Sequence, residues 1–345
     1  MPHGPAGRRR SGSVRTRLLI GIPLIVTVLG LMLADWYIER AGMVLAAGVP
    51  FFPFFGVLLM GAAVGTTVEV RKMLTRRGWA TLPWHVFIGV ILIMLGTVGG
   101  ASLALSHVSL AGIASVLPGT DQTRDYLMVQ AFYGGTIIFT FTFASVVWVW
   151  VSALWTGGNK RRDHEARAQA AIGSTFILTT IAVPFSLGFM LRAVPGYGMA
   201  LVLLALLASR LGDVGAYFAG RTFGRHKLIV AVSPKKTIEG FIGGLAMSTL
   251  VAIVLGQVPG FGGLRGVLPG WWLPAAGVMI GASAQIGDLL ASALKRWSGV
   301  KDSSNLIPEF GGVLDLCDGF LFSIPMLYAI VLLHGALGGL FTVGA

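Results

Sequence analysis

Asp288, Ser292 and Lys295 stand at i, i+4 and i+7 in the stretch QIGDLLASALKR, Gln285 to Arg296. On a helix that spacing puts all three on one face. An acid one to two turns inside an apolar run, with Lys295 and Arg296 at its polar end, has the make-up of a half-buried metal and phosphate site. The bland alternative is a helix-end ion pair with a snorkelling lysine. Asp315 and Asp318 are three residues apart at the start of the last apolar run, so both face inward if a helix begins there. With Asp288 they offer three hard oxygen ligands, which suit Mg²⁺ better than zinc. The six histidines show no ligand-like spacing, and Cys317 is the one cysteine. Gly311 and Gly312 permit close backbone approach to a ligand, and Lys295, Arg296 and Lys301 are available for phosphate. Carboxylates holding Mg²⁺ beside a basic cluster describe phosphoryl or nucleotidyl transfer.

Two further stretches add to that chemistry. In SPKKTIEGFIGG, from Ser233 to Gly244, Lys235 and Lys236 supply charge and Pro234 stiffens the turn. Thr237 to Glu239 is read as the opening of the next helix, and helix N-termini bind phosphate readily. The order of a Walker A loop is absent. In SRLGDVGAYFAGRTFGRHKL, Asp213 falls inside an apolar run, where a carboxylate is costly and a functional candidate. Arg210, three residues earlier, shares its helix face, so a local ion pair is the competing explanation.

The elements that must position these residues are membrane spans. Apolar residues make up 55% of the 345, and charged residues only 12%, against roughly 25% in soluble domains. The mean hydropathy is +0.80. Nine apolar runs are long enough to cross a hydrocarbon core, near 18–36, 46–66, 85–105, 132–155, 171–191, 197–219, 240–257, 272–294 and 319–342. They must be helical, because lipid offers no partners to exposed backbone. The expected class is therefore all-α, a polytopic integral membrane protein.

Basic residues set the orientation. All but five of the 26 Lys and Arg fall in alternate segments, around 8–17, 71–77, 160–167, 221–236 and 295–301. The exceptions are Arg40, Arg124, Arg192 and Arg265 on the opposite side and Arg210 within a span. Strict alternation predicts a cytoplasmic N-terminus and an external C-terminus. It also explains the pI near 10.4 without a nucleic-acid partner. The first run is read as a retained helix rather than a cleaved signal. The single cysteine excludes an intrachain disulfide, and the 49 glycines are read as close helix packing. Polar residues enter the spans only after residue 195. The chain is thus divided into a basic cytoplasmic segment, 1–17, generic transmembrane helices, 18–194, and a C-terminal region with the chemistry, 195–345.

The stretch from Ser292 to Asp318 resembles the signature of the phosphatidate cytidylyltransferase (CDP-diacylglycerol synthase) family. That signature reads S-x-x-K-R, four residues, K-D, and later H-G-G-x-x-D-R-x-D. Ser292, Lys295, Arg296, Lys301, Asp302, Pro308, Gly311, Gly312, Asp315 and Asp318 fall in register with it. DVGAYFAGRTFGRHKL and SPKKTIEGFIGG resemble two other recurrent blocks of that family, in the same order, so the likeness spans about residues 195–330. Phe310 replaces the signature His, and Leu316 its Arg.

The resemblance implies transfer of a cytidylyl group from CTP to phosphatidate in phospholipid synthesis. It gives catalytic roles to Asp288, Lys295, Arg296, Asp315 and Asp318, with Mg²⁺ on Asp288, Asp315 and Asp318. Lys235 and Lys236, in the block that opens at Ser233, are assigned the β- and γ-phosphates. Lys295, Arg296 and Lys301 are assigned the lipid phosphate or the leaving group. Asp213 and Asp302 go to nucleotide or cation binding, which leaves room for a second, monovalent cation. A homodimer, a cell-membrane location and a cytoplasm-facing site complete the expectation. The alternatives are a CTP-dependent kinase or cytidylyltransferase acting on an isoprenoid lipid, and an ion-coupled transporter with Asp213 and Asp288 on its path.

Overall fold

A computed structural model describes residues 14–41, 53–107, 121–155, 161–194, 196–258, 264–307 and 310–341. Most of the expected basic N-terminal segment, and Pro308 of the signature, lie outside them. Each of the nine apolar runs coincides with helix. These are α1 (Val14–Arg40), α2 (Pro53–Arg76), α3 (Pro83–His107), α4 (Asp121–Trp155) and α5 (Arg161–Ile177). A π-helical turn, Leu178–Ala182, continues α5 into α6 (Val183–Arg192). Then come α7 (Gly198–Phe223), strands β1 (Lys227–Ile229) and β2 (Ser233–Thr237), α8 (Ile238–Leu255) and α9 (Trp272–Trp297). The last run is divided into α10 (Val313–Cys317) and α11 (Phe320–Phe341).

Seven of the described helical segments are long and apolar enough to cross a membrane. Helices α1 and α3 carry the shorter apolar stretches Val26–Ile38 and Pro83–Val98. The protein is an all-α, multi-pass membrane protein. One small addition to that class is the antiparallel β1–β2 hairpin, which pairs Lys227 with Thr237 and Ile229 with Ser233. Helix α2 is described from Pro53, and proline suits a first helical turn, where its missing N–H has no partner to lose. The π turn precedes Pro184, whose ring nitrogen has no proton to donate one turn back, so the hydrogen-bond ladder shifts there.

Helix α7 is the central pillar. Its first half, from Gly198 to Ser209, is largely buried, and only its second half turns polar residues outward. Helix α8 packs on it through glycine. A Cβ on Gly215 would meet Met247, and one on Gly243 would meet Ala219. The two backbones thus approach as small-residue membrane interfaces do. Helix α9 packs against α8 on one side and α11 on another. Helix α8 is capped as its sequence implied, with Thr237 Oγ1 accepting from Gly240 N at 3.1 Å.

Two helix N-termini are closed by carboxylates from other helices. Asp35 of α1 accepts from Phe54 N and Phe55 N of α2 at 3.2 and 2.6 Å. Glu69 of α2 does the same for α10, accepting from Val313 N and Leu314 N at 2.9 and 2.8 Å. The first N–H groups of a helix have no partner within it, so in an apolar setting an acceptor from elsewhere must meet them.

Candidate functional site

The second half of α7, the β-hairpin, the start of α8, α9 and Asp318 at the head of α11 surround a cavity of about 480 Å³. Asp213, Asp288 and Asp318 line it, with Arg210, Lys235 and Lys236. The hairpin carries both lysines to the start of α8, and Thr237 and Gly240 of that helix end face the same space. A Cβ on Gly240 would lie 2.9 Å from Ala216 O and 3.2 Å from Gly220 Cα, so only glycine lets α8 begin this close to α7. The result is a basic, helix-N-terminal wall opposite a group of carboxylates. Such a wall binds phosphate.

The charges are cross-linked between elements. Lys236 Nζ is 2.5 Å from Asp288 Oδ2, which ties the hairpin to α9. Arg210 reaches Asp213 at 3.5 Å and Asp318 at 3.6 Å. The local Arg210–Asp213 pair expected from spacing therefore exists, and it also belongs to the cavity. Arg221 donates to Tyr217 Oη at 2.9 Å on the same wall. Asp288 and Asp318 line the same cavity.

The pairing of the signature aspartates differs from expectation. Asp318 joins Asp288, but Asp315 does not line the cavity. Asp315 is the third residue of α10 and folds back to accept from Gly312 N at 2.9 Å. It also accepts from Ser303 N at 2.9 Å and Ser303 Oγ at 2.7 Å, and it binds Lys295 Nζ at 2.6 Å. The chain breaks helix at Asp318–Gly319, where Gly319 N donates to Asp318 Oδ1 at 2.7 Å. The inward face assumed for both residues needed one continuous helix, and the break separates them.

Among the described residues no three His, Cys, Asp or Glu side chains form a group able to hold a metal ion. A pair suffices for Mg²⁺, which is commonly held by one or two carboxylates together with substrate phosphates. Asp288 and Asp318 fit that description: they are hard oxygen donors lining one cavity beside a phosphate-binding wall.

The other expected residues are placed as follows. Lys295 is buried against Asp315 rather than presented to the cavity. Ser233 begins β2, and Arg296 is exposed and donates to Val300 O at 3.3 Å. Lys301 and Asp302 are exposed on the segment after α9. None of these four lines the cavity. Ser292, half-buried, does not line it either. Gly311 takes φ +90°, a conformation suited to glycine.

Three cavity residues escaped the sequence reading. Gln285, Tyr217 and Arg221 lie within the quoted stretches, but nothing in their types marks them. Gln285 donates to Phe241 O at 3.2 Å, which fixes α9 to α8. Glu69 was also missed, because the apolar run at 46–66 stops short of it, whereas helix α2 continues to Arg76 and buries it. Leu316 takes the place of a signature arginine, and Arg210 Nη2 donates to its backbone carbonyl.

Comparison with known proteins matches this C-terminal architecture. The model of the cytidylyltransferase family matches residues 86–334. A phosphatidate cytidylyltransferase of Staphylococcus haemolyticus is 40% identical over 160 residues, which is 46% of this chain and 59% of the relative. One of Bacillus subtilis is 37% identical over 146 residues, 41% of this chain and 51% of the relative. The chain thus aligns with little more than half the length of the curated relatives it matches. The family match, however, runs from α3 into α11 and takes in every element around the cavity; this chain belongs to the cytidylyltransferase family.

Proposed function

We propose that this protein is a phosphatidate cytidylyltransferase, forming CDP-diacylglycerol and diphosphate from CTP and phosphatidate. The observation that carries the reading is the cavity itself. Lys235, Lys236 and the start of α8 oppose Asp213, Asp288 and Asp318 among membrane-spanning helices, in a chain of the cytidylyltransferase family. The similarity to relatives named phosphatidate cytidylyltransferase supports the choice of substrates.

In this reading Lys235, Lys236 and the first N–H groups of α8 hold the β- and γ-phosphates of CTP. An oxygen of the lipid phosphate attacks the α-phosphorus as the bond to the β-phosphate oxygen breaks, and diphosphate leaves with that electron pair. The lipid phosphate is largely ionised near neutral pH, so the attack needs little help from a base, which suits a chain with Phe310 in place of the signature His. Arg210 lines the cavity beside Asp213 and Asp318 and is the guanidinium available to the phosphates in a chain with Leu316 in place of the signature Arg. It is positioned for a phosphate contact. Mg²⁺ on Asp288 and Asp318 would neutralise charge on the triphosphate. Lys295 and Asp315 act as a buried pair behind the cavity rather than as ligands.

The nine-span arrangement with the N-terminus in the cytoplasm belongs to the same proposal, as does location in the cell membrane with the site facing cytoplasmic CTP. Region 195–345 carries the chemistry and helices 18–194 support it. Purified protein given labelled CTP and a panel of phosphatidate, an isoprenoid phosphate and an isoprenoid alcohol tests the reading. A CDP-lipid should form with phosphatidate. Preference for either isoprenoid would transfer the assignment to another lipid.

A further inference from the structure

We infer that Glu69, on α2, is a positioning residue: it clamps Ser303 and Ser304 to the start of α10 and through them sets Asp315, Lys295 and α9 behind the cavity. The inference rests on the function proposed above. Glu69 is only 3% exposed and sits in an apolar helix, where an ionised carboxylate is costly unless fully satisfied. Among the described residues no cation pairs with it. Four donors meet it instead, all from more than 230 residues away in sequence. Ser304 Oγ and Val313 N reach Oε1 at 2.6 and 2.9 Å. Ser303 Oγ and Leu314 N reach Oε2, both at 2.8 Å.

The backbone is shaped around this contact. A Cβ on Gly312 would overlap Ser303 Oγ and both Glu69 carboxylate oxygens. Gly65, one turn before Glu69, is open for the same reason, since Val313 packs onto it. Gly312 therefore has a second explanation besides ligand approach: it admits the Glu69 carboxylate.

The clamp reaches the site through Ser303. Its Oγ lies 2.8 Å from Glu69 Oε2 and 2.7 Å from Asp315 Oδ2. A hydroxyl has one proton, so the two carboxylates are coupled through a donor they share. Asp315 in turn holds Lys295, which lies two turns along α9 from Asp288. Asp318 follows directly on α10. Asp288 and Asp318 are thus both carried by elements whose placement ends at Glu69.

The test uses full-length protein in detergent, with Cys317 at the end of α10 as a native probe. Glu69→Gln keeps the size of the side chain but turns an amide toward groups that all donate. It should make Cys317 react with a maleimide about tenfold faster, since α10 opens more often. It should lower kcat about 100-fold through misplacement of the site, with KM for CTP within about threefold because Glu69 does not line the cavity. Ser303→Ala leaves Val313 N and Leu314 N capped by Glu69 and removes the hydroxyl shared with Asp315, so that from residue 303 only the backbone N–H still reaches Asp315. It should lower kcat while leaving Cys317 labelling at the wild-type rate. Wild-type labelling and kcat in Glu69→Gln would overturn the inference. So would a kcat loss that merely tracks the fraction of folded protein. The labelling rate needs no substrate. Faster labelling in Glu69→Gln with no CDP-lipid formed by wild type would therefore reject the proposed reaction while the clamp stands.

Discussion

Lys236 Nζ and Asp288 Oδ2 lie 2.5 Å apart, and this pair joins a surface hairpin to a membrane-spanning helix across the cavity. Each side chain is a little over one-quarter exposed, at 27% and 28%, so the pair is partly shielded from water. The lysine is thereby held at the carboxylate that a nucleotide-bound cation would share. Lys236→Ala should raise KM for CTP about 10- to 100-fold, the range of one charge-assisted contact. An unchanged KM would remove Lys236 from the nucleotide site.

The division between Asp318 and Asp315 makes a sharper demand. Asp288→Asn and Asp318→Asn should each raise the Mg²⁺ concentration for half-maximal turnover, by about tenfold or more, because a hard-oxygen donor is lost. Asp315→Asn should depress turnover without moving that concentration, because its partners are Lys295, Ser303 and Gly312. A Mg²⁺ titration of the three variants decides it, and a shift in Asp315→Asn equal to the others would restore Asp315 as a ligand.

Orientation is tested by cysteine accessibility on a Cys317→Ser background. Single cysteines near positions 160, 235 and 300 should label from the cytoplasmic side, and one at 265 from outside. Labelling at 235 from outside would put the hairpin lysines on the wrong face for cytoplasmic CTP.

The residues of the site were legible in unequal measure. Asp213 and Asp288 stood out because carboxylates are rare in apolar runs, and both line the cavity. The lysine pair was legible as charge and Thr237 as a helix start, but the hairpin was not: SPKKT reads as a turn, and its pairing with Lys227–Ile229 is short and irregular. Asp315 and Asp318 were expected on one face, but an i, i+3 spacing implies a common face only along an unbroken helix, and the turn at Asp318–Gly319 is fixed by tertiary packing. A Cβ on Gly319 would meet Ser209 Oγ at 2.7 Å, a contact with α7 that no local pattern announces. Glu69 fell just past the apolar run at 46–66, and its partners lie in a segment more than 230 residues downstream. The seven long apolar helices all fall on runs readable from hydropathy. Helix ends were not readable, since α4 begins at Asp121 and α5 at Arg161, about ten residues before their apolar runs.

The central claim is transfer of a cytidylyl group rather than a phosphoryl group, and the fate of the CTP phosphates tests it most directly. Purified protein with phosphatidate should be given CTP labelled at the α-phosphate in one reaction and at the γ-phosphate in another. The account predicts that α-label enters the lipid and γ-label leaves as diphosphate, in equal amounts. Passage of γ-label into lipid with release of CDP would contradict it and identify a kinase.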